Sequence, residues 1–367
     1  MKIDIFICKF GSGHQVAAKE LEKYIEANKA VSIRTIDFIE AIHPKIAGAI
    51  YWGYRTYFQH IKGKKDKDYK NKDGSRDFAS KFFNIKKLFF KYMDENPLPD
   101  IFISCYSVTS YLLSLYKEER NLDIPLITYI TDFNFHKFWI NDRTDLYLTM
   151  SDFTKNKLID IGVDEDRIII FGEKKNLSRE KSDKNILICG GGLGMLPNDE
   201  SFYRDLGEFS DKNFAIVFGK NKKLYQKISK LGIKNLKTYG LVENMADLYA
   251  WADIYITKPG GMSIHDSIRN DLPIIYFTPY LPQEIKNKNF IEKEKIGIEL
   301  KNQRLDVIRD LFHDENKLET LRENLDRVRD DFAPEDLIRW MDYEYYKIRL
   351  NPYNNLSRPW LHGYSYS

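Results

Sequence analysis

A chain of 367 residues, 43% apolar and 30% charged, is long enough for two domains that each bury a core, and its make-up excludes a fibrous or disordered protein. The formal net charge of +3 is unevenly placed: residues 45–91 hold 13 Lys or Arg against 4 Asp, a local +9, which leaves −6 for the rest. One segment is basic, not the protein, and Cys8, Cys105 and Cys189 are too widely spaced for a disulfide framework or a zinc site.

The three cysteines sit within or at the ends of apolar runs, which points to a reducing compartment. Ile3 to Cys8 is too short for the apolar part of a signal peptide, and no stretch approaches the roughly 18 apolar residues of a membrane span. The expectation is a soluble or peripheral protein of the cytoplasm.

Short apolar runs alternate with helical patterns along the chain, which argues for an α/β architecture with parallel sheets. Ile3 to Cys8 reads as a strand, Val16 to Ile25 as a helix through Ala17, Ala18, Leu21 and Ile25, and Val31 to Asp37 as a second strand. Gly11-Ser12-Gly13-His14 is the turn between the first strand and the helix, and ligands of such folds sit at the carboxyl ends of strands. As a dinucleotide fingerprint this turn is incomplete, because Val16 stands where the third glycine belongs. As a phosphate loop it lacks the Gly-Lys-Ser/Thr. His14 stands at a helix start, where the dipole lowers its pKa and leaves a neutral imidazole able to take a proton. A plain helix cap is the other reading.

Residues 42–91 interleave aromatics (Tyr51, Trp52, Tyr54, Tyr57, Phe58, Phe82, Phe83, Phe89, Phe90) with lysines. Three readings stand: a core stripe with a solvated face, a membrane-surface patch that attracts anionic lipid, and, ranked last, a nucleic-acid site. Asp100 to Ser104 and Pro125 to Ile130 are buried-strand candidates, and the second runs into Thr131-Asp132-Phe133-Asn134-Phe135-His136-Lys137-Phe138-Trp139. Polar groups at that strand end place Asp132 and His136 near His14, where a carboxylate orients an imidazole. As metal ligands Asp132 and His136 lack a third partner. Asp145 to Thr149 and Arg167 to Phe171 close a first domain over residues 1–171. Asp164-Glu165-Asp166 lies at the wrong end of a strand for a metal-binding DxD and reads as a solvated turn.

Residues 172–184 read as a linker by composition, and 185–333 as a second domain. Asn185 to Cys189 runs into Gly190-Gly191-Gly192-Leu193-Gly194, a phosphate-cradle candidate. Phe214 to Phe218 leads to Gly219-Lys220-Asn221, and Leu236 to Tyr239 leads to Gly240-Leu241-Val242. Ile254 to Thr257 reaches Lys258-Pro259-Gly260-Gly261, and Ile274 to Phe277 reaches Pro282-Gln283-Glu284, with Asn287 one turn on. Five successive strand ends carry small or polar residues, a nucleotide cleft facing the first domain. Gly260 and Gly261 let a bulky ligand approach the main chain, and the helix behind them favours phosphate at its N-terminus. Ser263 fits as its N-cap, and Asp266 is placed to accept from ribose hydroxyls; an ordinary strand-to-helix turn is the alternative. Residues 334–367 read as a helix (Leu337, Trp340, Met341, Tyr345) and an aromatic tail that packs back on the first domain.

Five motifs in colinear order, Gly11-Ser-Gly-His14-x-x-Ala17-Ala18, Thr131-Asp132-Phe133-x-x-His136-x-x-Trp139, Gly190-Gly-Gly-Leu-Gly194, Lys258-Pro-Gly-Gly261 and Gln283-Glu284-x-x-Asn287, carry a family resemblance. Together they resemble the processive diacylglycerol glucosyltransferase and monogalactosyldiacylglycerol synthase family, relatives of the peptidoglycan lipid-linked N-acetylglucosaminyltransferase. The resemblance implies a GT-B glycosyltransferase, two Rossmann-like domains facing a cleft, inverting, without metal or cofactor. It implies transfer of glucose or galactose from a UDP-sugar to diacylglycerol at the cytoplasmic face of the cell membrane.

It further implies that His14, backed by Asp132, takes the proton of the lipid hydroxyl, and that Gly13, His136 and Trp139 flank the acceptor. Gly191, Gly192, Gly194, Gly260, Gly261 and Ser263 would lie by the diphosphate, Asn221 and Val242 near uridine, and Asp266 at the ribose. Gln283 and Glu284 would touch sugar hydroxyls, with Asn287 also on the donor side. The implied partners are a UDP-sugar, diacylglycerol or a related lipid, and an anionic membrane surface, but no nucleic acid. An N-acetylglucosamine donor with another lipid-linked acceptor, and a relative that binds UDP-sugar without catalysis, are the alternatives. The chain departs from the family at Asp266 (usually Glu), at Pro282 (usually Gly), at Gly172-Glu173-Lys174 (usually Gly-Ile-Pro) and at Cys105-Tyr106-Ser107 (usually Thr-His-Pro).

Overall fold

Ile-, Phe- and Leu-rich runs, interleaved with amphipathic segments, build two parallel sheets of six strands each. The computed structural model describes residues 1–10, 13–60, 75–173, 182, 184–279, 281–301 and 305–350, without the side chains of 54–60, 75–83, 315 and 348–350. The first sheet holds β1 (Lys2–Ile7), β2 (Ser32–Asp37), β3 (Ile101–Ser104), β4 (Leu126–Tyr129), β5 (Leu146–Thr149) and β6 (Ile168–Ile170), in the order β2-β1-β3-β4-β5-β6. The second holds β7 (Asn185–Cys189), β8 (Asn213–Val217), β9 (Leu236–Tyr239), β10 (Ile254–Thr257), β11 (Ile274–Phe277) and β12 (Gly297–Leu300), in the order β12-β11-β10-β7-β8-β9.

The helices of the first half are α1 (Gly13–Asn28), α2 (Phe38–Ile42), α3 (Ala47–His60), α4 (Ser75–Asp94), α5 (Ser107–Glu119) and α6 (Asp152–Asp160). Those of the second are α7 (Glu200–Gly207), α8 (Lys222–Ser229), α9 (Ala246–Trp251), α10 (Gly261–Arg269), α11 (Pro282–Glu294), α12 (Asp306–His313) and α13 (Glu315–Asp330), and α14 (Pro334–Leu350) follows. Gly11 and Ser12, the lysine run from Lys62 to Lys72, residues 174–181 and the tail from 351 lie outside the described residues, as do the side chains of Tyr54, Tyr57, Phe58, Phe82 and Phe83.

Every residue of β3, β4, β5 and β6 is buried, as a parallel sheet covered by helices on both faces requires. Side chains of β1 alternate between the two faces. Ile3, Ile5 and Ile7 join Ala17, Ala18, Leu21 and Ile25 of α1 in one core. Phe6 and Cys8 enter another with Tyr51 of α3, Phe89 and Phe90 of α4 and Leu112 of α5. The described aromatics Tyr51, Phe89 and Phe90 are therefore core, whereas Trp52 is 67% exposed.

Helices α10 and α14 are among the elements that join the halves. Met262, Ile264 and Ile268 of α10 pack in the same core as α1, and Arg269 at its far end pairs with Glu20 of α1 at 2.5 Å and with Glu173 at 3.2 Å. The helix α14 returns to β6: Leu337, Trp340 and Met341 are fully buried in that core, and the Ala333 N–H donates to the Ile170 carbonyl at 2.9 Å. Two elements differ from the sequence reading. The strand β12 is not foreseen, because Gly-Ile-Glu-Leu is short, edge-lying and only partly buried. Helix α1 starts at Gly13, not Val16, because apolar spacing marks only the buried face and the first turn, with His14 and Gln15, has none.

Candidate active site

The segment Thr131-Asp132-Phe133, directly after β4, holds the site together. The Thr131 hydroxyl lies 3.3 Å from His14 Nδ1. Its carbonyl faces α10 so closely that a Cβ on Gly261 would stand 2.1 Å from it. Asn287 of α11 donates from Nδ2 to Asp132 Oδ1 and to the Pro259 carbonyl, both at 3.2 Å, and accepts from the Phe133 N–H at 3.1 Å. The Phe133 ring stacks on Phe290 with centroids 4.1 Å apart, a contact on the order of 1 kcal/mol beyond its buried area. One short strand end thus contacts the first helix of the first domain and two helix N-terminal segments of the second.

His14 stands in the first turn of α1, with its ring edge-on to Tyr106 at 5.3 Å. Burial pushes its pKa down to about 4, opposed by a backbone hydrogen bond at Cys105, so the imidazole is neutral at physiological pH. Gly13 beside it comes within 3.8 Å, measured from an added Cβ, of Met262 on α10. The N-termini of α1 and α10 therefore meet at one point of the cleft. One helix carries a neutral imidazole and the other a glycine N-terminus, where the helix dipole favours negative charge.

On the second domain, Gly191 adopts φ +68° in the turn after β7, and the Gly194 N–H closes the turn onto the Gly191 carbonyl at 2.9 Å. The Lys258 side chain lies across this turn, and its Nζ donates to Glu284 Oε1 at 2.5 Å. Glu284 is only 2% exposed. Gly260, Gly261 and Ser263 form the start of α10 beside that lysine.

Several sequence expectations change in this setting. Asp132 does not pair with His14; its hydrogen bond comes from Asn287, and Thr131 holds the imidazole. Trp139 does not line a pocket, because it is 2% exposed and sits in a core with Ile130, Tyr147 and Leu158. His136 is exposed above it, 6.3 Å from its ring. The N-cap of α10 is Gly260, and Ser263 lies within its first turn. Asn287 is fully buried and spends its amide on the domain seam. Asn221 caps α8 through the Leu224 N–H and donates to the Gly194 carbonyl at 3.1 Å. Gly194 is buried: with φ +65°, a Cβ there would meet the Phe218 carbonyl at 1.8 Å. It shapes the turn instead of facing a ligand. Asp266 accepts from Tyr249 Oη at 2.8 Å and is 8% exposed. Val242 packs at the edge of the Tyr249 and Tyr255 cluster, and Gln283 is exposed at the start of α11. Thr131 and Lys258 went unassigned in the sequence reading, although both stand at strand carboxyl ends, the one signal available.

Asp132 makes a pH prediction. Burial pushes its carboxyl from 3.8 up to about 6, opposed by the Asn287 amide and Lys258. A carboxyl whose folded pKa lies above its unfolded one stabilises the fold fully at pH below 3.8 and loses that contribution as pH rises through 6. Asp132→Asn keeps the acceptor for Asn287 without the buried charge, so it raises the melting temperature by about 2 °C or more at pH 8 and not at pH 4. Melts at the two pH values check this; an equal shift at both contradicts it.

Comparison with known proteins agrees with this architecture. A family model of monogalactosyldiacylglycerol (MGDG) synthase matches residues 14–173, and one of the glycosyltransferase family 28 C-terminal domain matches residues 185–332. The chain is 26% identical to the processive diacylglycerol beta-glucosyltransferase of Bacillus cytotoxicus, covering 93% of this chain and 92% of that protein. It is 27% identical to the enzyme of the same name from Bacillus subtilis, covering 88% and 90%. Among solved structures, MurG of Acinetobacter baumannii superposes with TM-score 0.56 at 15% identity, over 94% of this chain and 99% of that one. The glycosyltransferase SnogD from Streptomyces nogalater superposes with TM-score 0.60 at 14% identity, again over 94% and 99%. With two Rossmann-like sheets meeting at a cleft and both halves matched in order, the chain is a GT-B glycosyltransferase that belongs to the processive diacylglycerol glucosyltransferase and monogalactosyldiacylglycerol synthase family.

Proposed function

We propose that this protein transfers a hexose, glucose or galactose, from a UDP-sugar to diacylglycerol with inversion at the anomeric carbon, without metal. The observation that carries the reading is the meeting of the His14 turn of α1 with the Gly260–Gly261 start of α10 across Thr131. The lipid hydroxyl oxygen attacks the anomeric carbon and passes its proton to the neutral His14 imidazole. The bond from that carbon to the diphosphate oxygen breaks, and its electron pair leaves with UDP. Main-chain N–H groups and the helix dipole at Gly260 and Gly261 face the charge that develops there. The names of the Bacillus relatives support the lipid acceptor. Incubating the protein with UDP-glucose, UDP-galactose or UDP-N-acetylglucosamine and diacylglycerol, followed by lipid mass analysis, tests the reading. A hexosyl diacylglycerol is expected; glycosylation of no lipid, or only from UDP-N-acetylglucosamine, sinks it.

The acceptor reaches the site from a membrane surface, in this reading the cytoplasmic one. Among the described residues no helix is long and apolar enough to cross a bilayer. Helix α3 instead buries Ala47 and Tyr51 and turns Trp52, 67% exposed, outward; Ile46, just before the helix, is 52% exposed, and the segment 45–91 is basic. Apolar insertion beside lysines gives salt-sensitive binding to anionic bilayers. The variant Trp52→Ala with Ile46→Ser is expected to float with anionic vesicles several-fold less than the parent. Unchanged flotation, at low and at high salt, removes the membrane contact from this helix.

A further inference from the structure

We infer that Lys258 is the cation that receives the donor's diphosphate, and that Glu284 is its holder and not a contact to the sugar. This rests on the reading of the second domain as the donor side.

Lys258 is the residue after β10, and its side chain turns back over the glycine turn that follows β7. An added Cβ on Gly191 would stand 2.9 Å from Lys258 Cε, and one on Gly260 would stand 3.3 Å from Lys258 Nζ. The ammonium therefore occupies the junction of the two glycine turns, the place where backbone N–H groups and the start of α10 converge. The ion pair it forms is lopsided. Glu284 is 2% exposed, while the Lys258 side chain is 25% exposed. Glu284 also lies in the first turn of α11, behind Pro282, where the helix dipole favours a carboxylate without help from solvent. So placed, the carboxylate offers almost no surface to a sugar hydroxyl.

The chemistry needs such a charge. A helix N-terminus carries roughly half an elementary charge, whereas the departing diphosphate gains a full negative charge as the bond to the anomeric carbon breaks. An ammonium has three donors. One goes to Glu284, which leaves two for phosphate oxygens, and charge-assisted bonds of this kind are about twice as strong as neutral ones. Glu284 fixes the lysine in place before the donor arrives, so little side-chain freedom is lost on binding.

Calorimetric titration of UDP and of uridine into the parent, Lys258→Met, Lys258→Arg and the double variant Lys258→Met with Glu284→Gln tests the assignment. The parent should bind UDP more tightly than uridine. Lys258→Met should weaken UDP by roughly 10- to 100-fold and leave uridine unchanged, and Lys258→Arg should keep most of the UDP affinity. The double variant removes both charges, so no carboxylate is left unpaired in the fold, and it should stay as weak for UDP as the single one. Parental UDP affinity in the double variant would show that Lys258 only neutralises Glu284, and equal loss of UDP and uridine would show a structural role; either overturns the inference. A parent that binds neither ligand overturns the donor-side reading itself.

Discussion

His14→Ala lowers the rate of glycolipid formation by roughly 10²- to 10⁴-fold, the usual loss for a positioned general base, and leaves UDP binding at its parental strength. The two effects separate because the base lies on α1 of the first sheet while the turns around Gly191 and Gly260 belong to the second. The pH profile sharpens the test. Burial holds His14 near 4 instead of 6.5, and only the neutral ring accepts a proton, so activity falls as pH drops through about 4 and not through 6.5. An ordinary solvated histidine would place the acid limb of kcat/KM two or more units higher. The partner of His14 matters too. Thr131 offers a hydroxyl and not a carboxylate, so the imidazolium formed during transfer gains no ion pair from Asp132, whose carboxyl bonds Asn287. Activity in His14→Ala within a few-fold of the parent, or an acid limb near 6.5, removes His14 from the reaction.

Much of the fold was legible because it is written locally. Runs such as Ile254–Thr257 and Ile274–Phe277 are short, apolar and followed by Gly or Pro, and each is a strand with its polar end at the cleft. What was not legible depends on contacts between distant parts of the chain. Thr131 and His14 are 117 positions apart, and Asp132 and Asn287 are 155 apart; no spacing rule reports which polar groups two docked domains bring together. Residue type alone also leaves orientation open. Asn221 and Asn287 stand among the expected ligand-binding positions, yet a side-chain amide serves equally well as a cap or a rivet, and the neighbouring backbone groups decide which. Trp139 follows the same logic in apolar form: its place in the Thr131–Trp139 motif says nothing about which face of the chain it occupies, and the hydrophobic pull of Ile130, Tyr147 and Leu158 turns it inward.

Gly261 is the position where the sequence suggests a cause and the structure supplies a second one. An absent Cβ lets a diphosphate approach the main chain, but the nearest atom to the missing Cβ is the Thr131 carbonyl oxygen at 2.1 Å, with Asp132 Oδ1 at 3.0 Å. A backbone carbonyl at the end of a buried parallel strand cannot step aside as a flexible side chain does. Gly261→Ala must therefore push α10 off Thr131 or push Thr131 off His14. The first costs about 1–3 kcal/mol of overpacking, and either displaces the anion-binding helix start from the base by a distance on the order of 1 Å, enough for roughly a 10²-fold loss of rate. The expected result is a melting temperature lower by several degrees together with transfer reduced about 100-fold. Gly48→Ala, where nothing lies within 4 Å of the added carbon, should cost neither, since alanine also favours the helix there. Parental stability and parental rate in Gly261→Ala would mean that the two domains do not meet at Thr131 during turnover, and the approach of base to leaving group would have to come from another surface of the cleft.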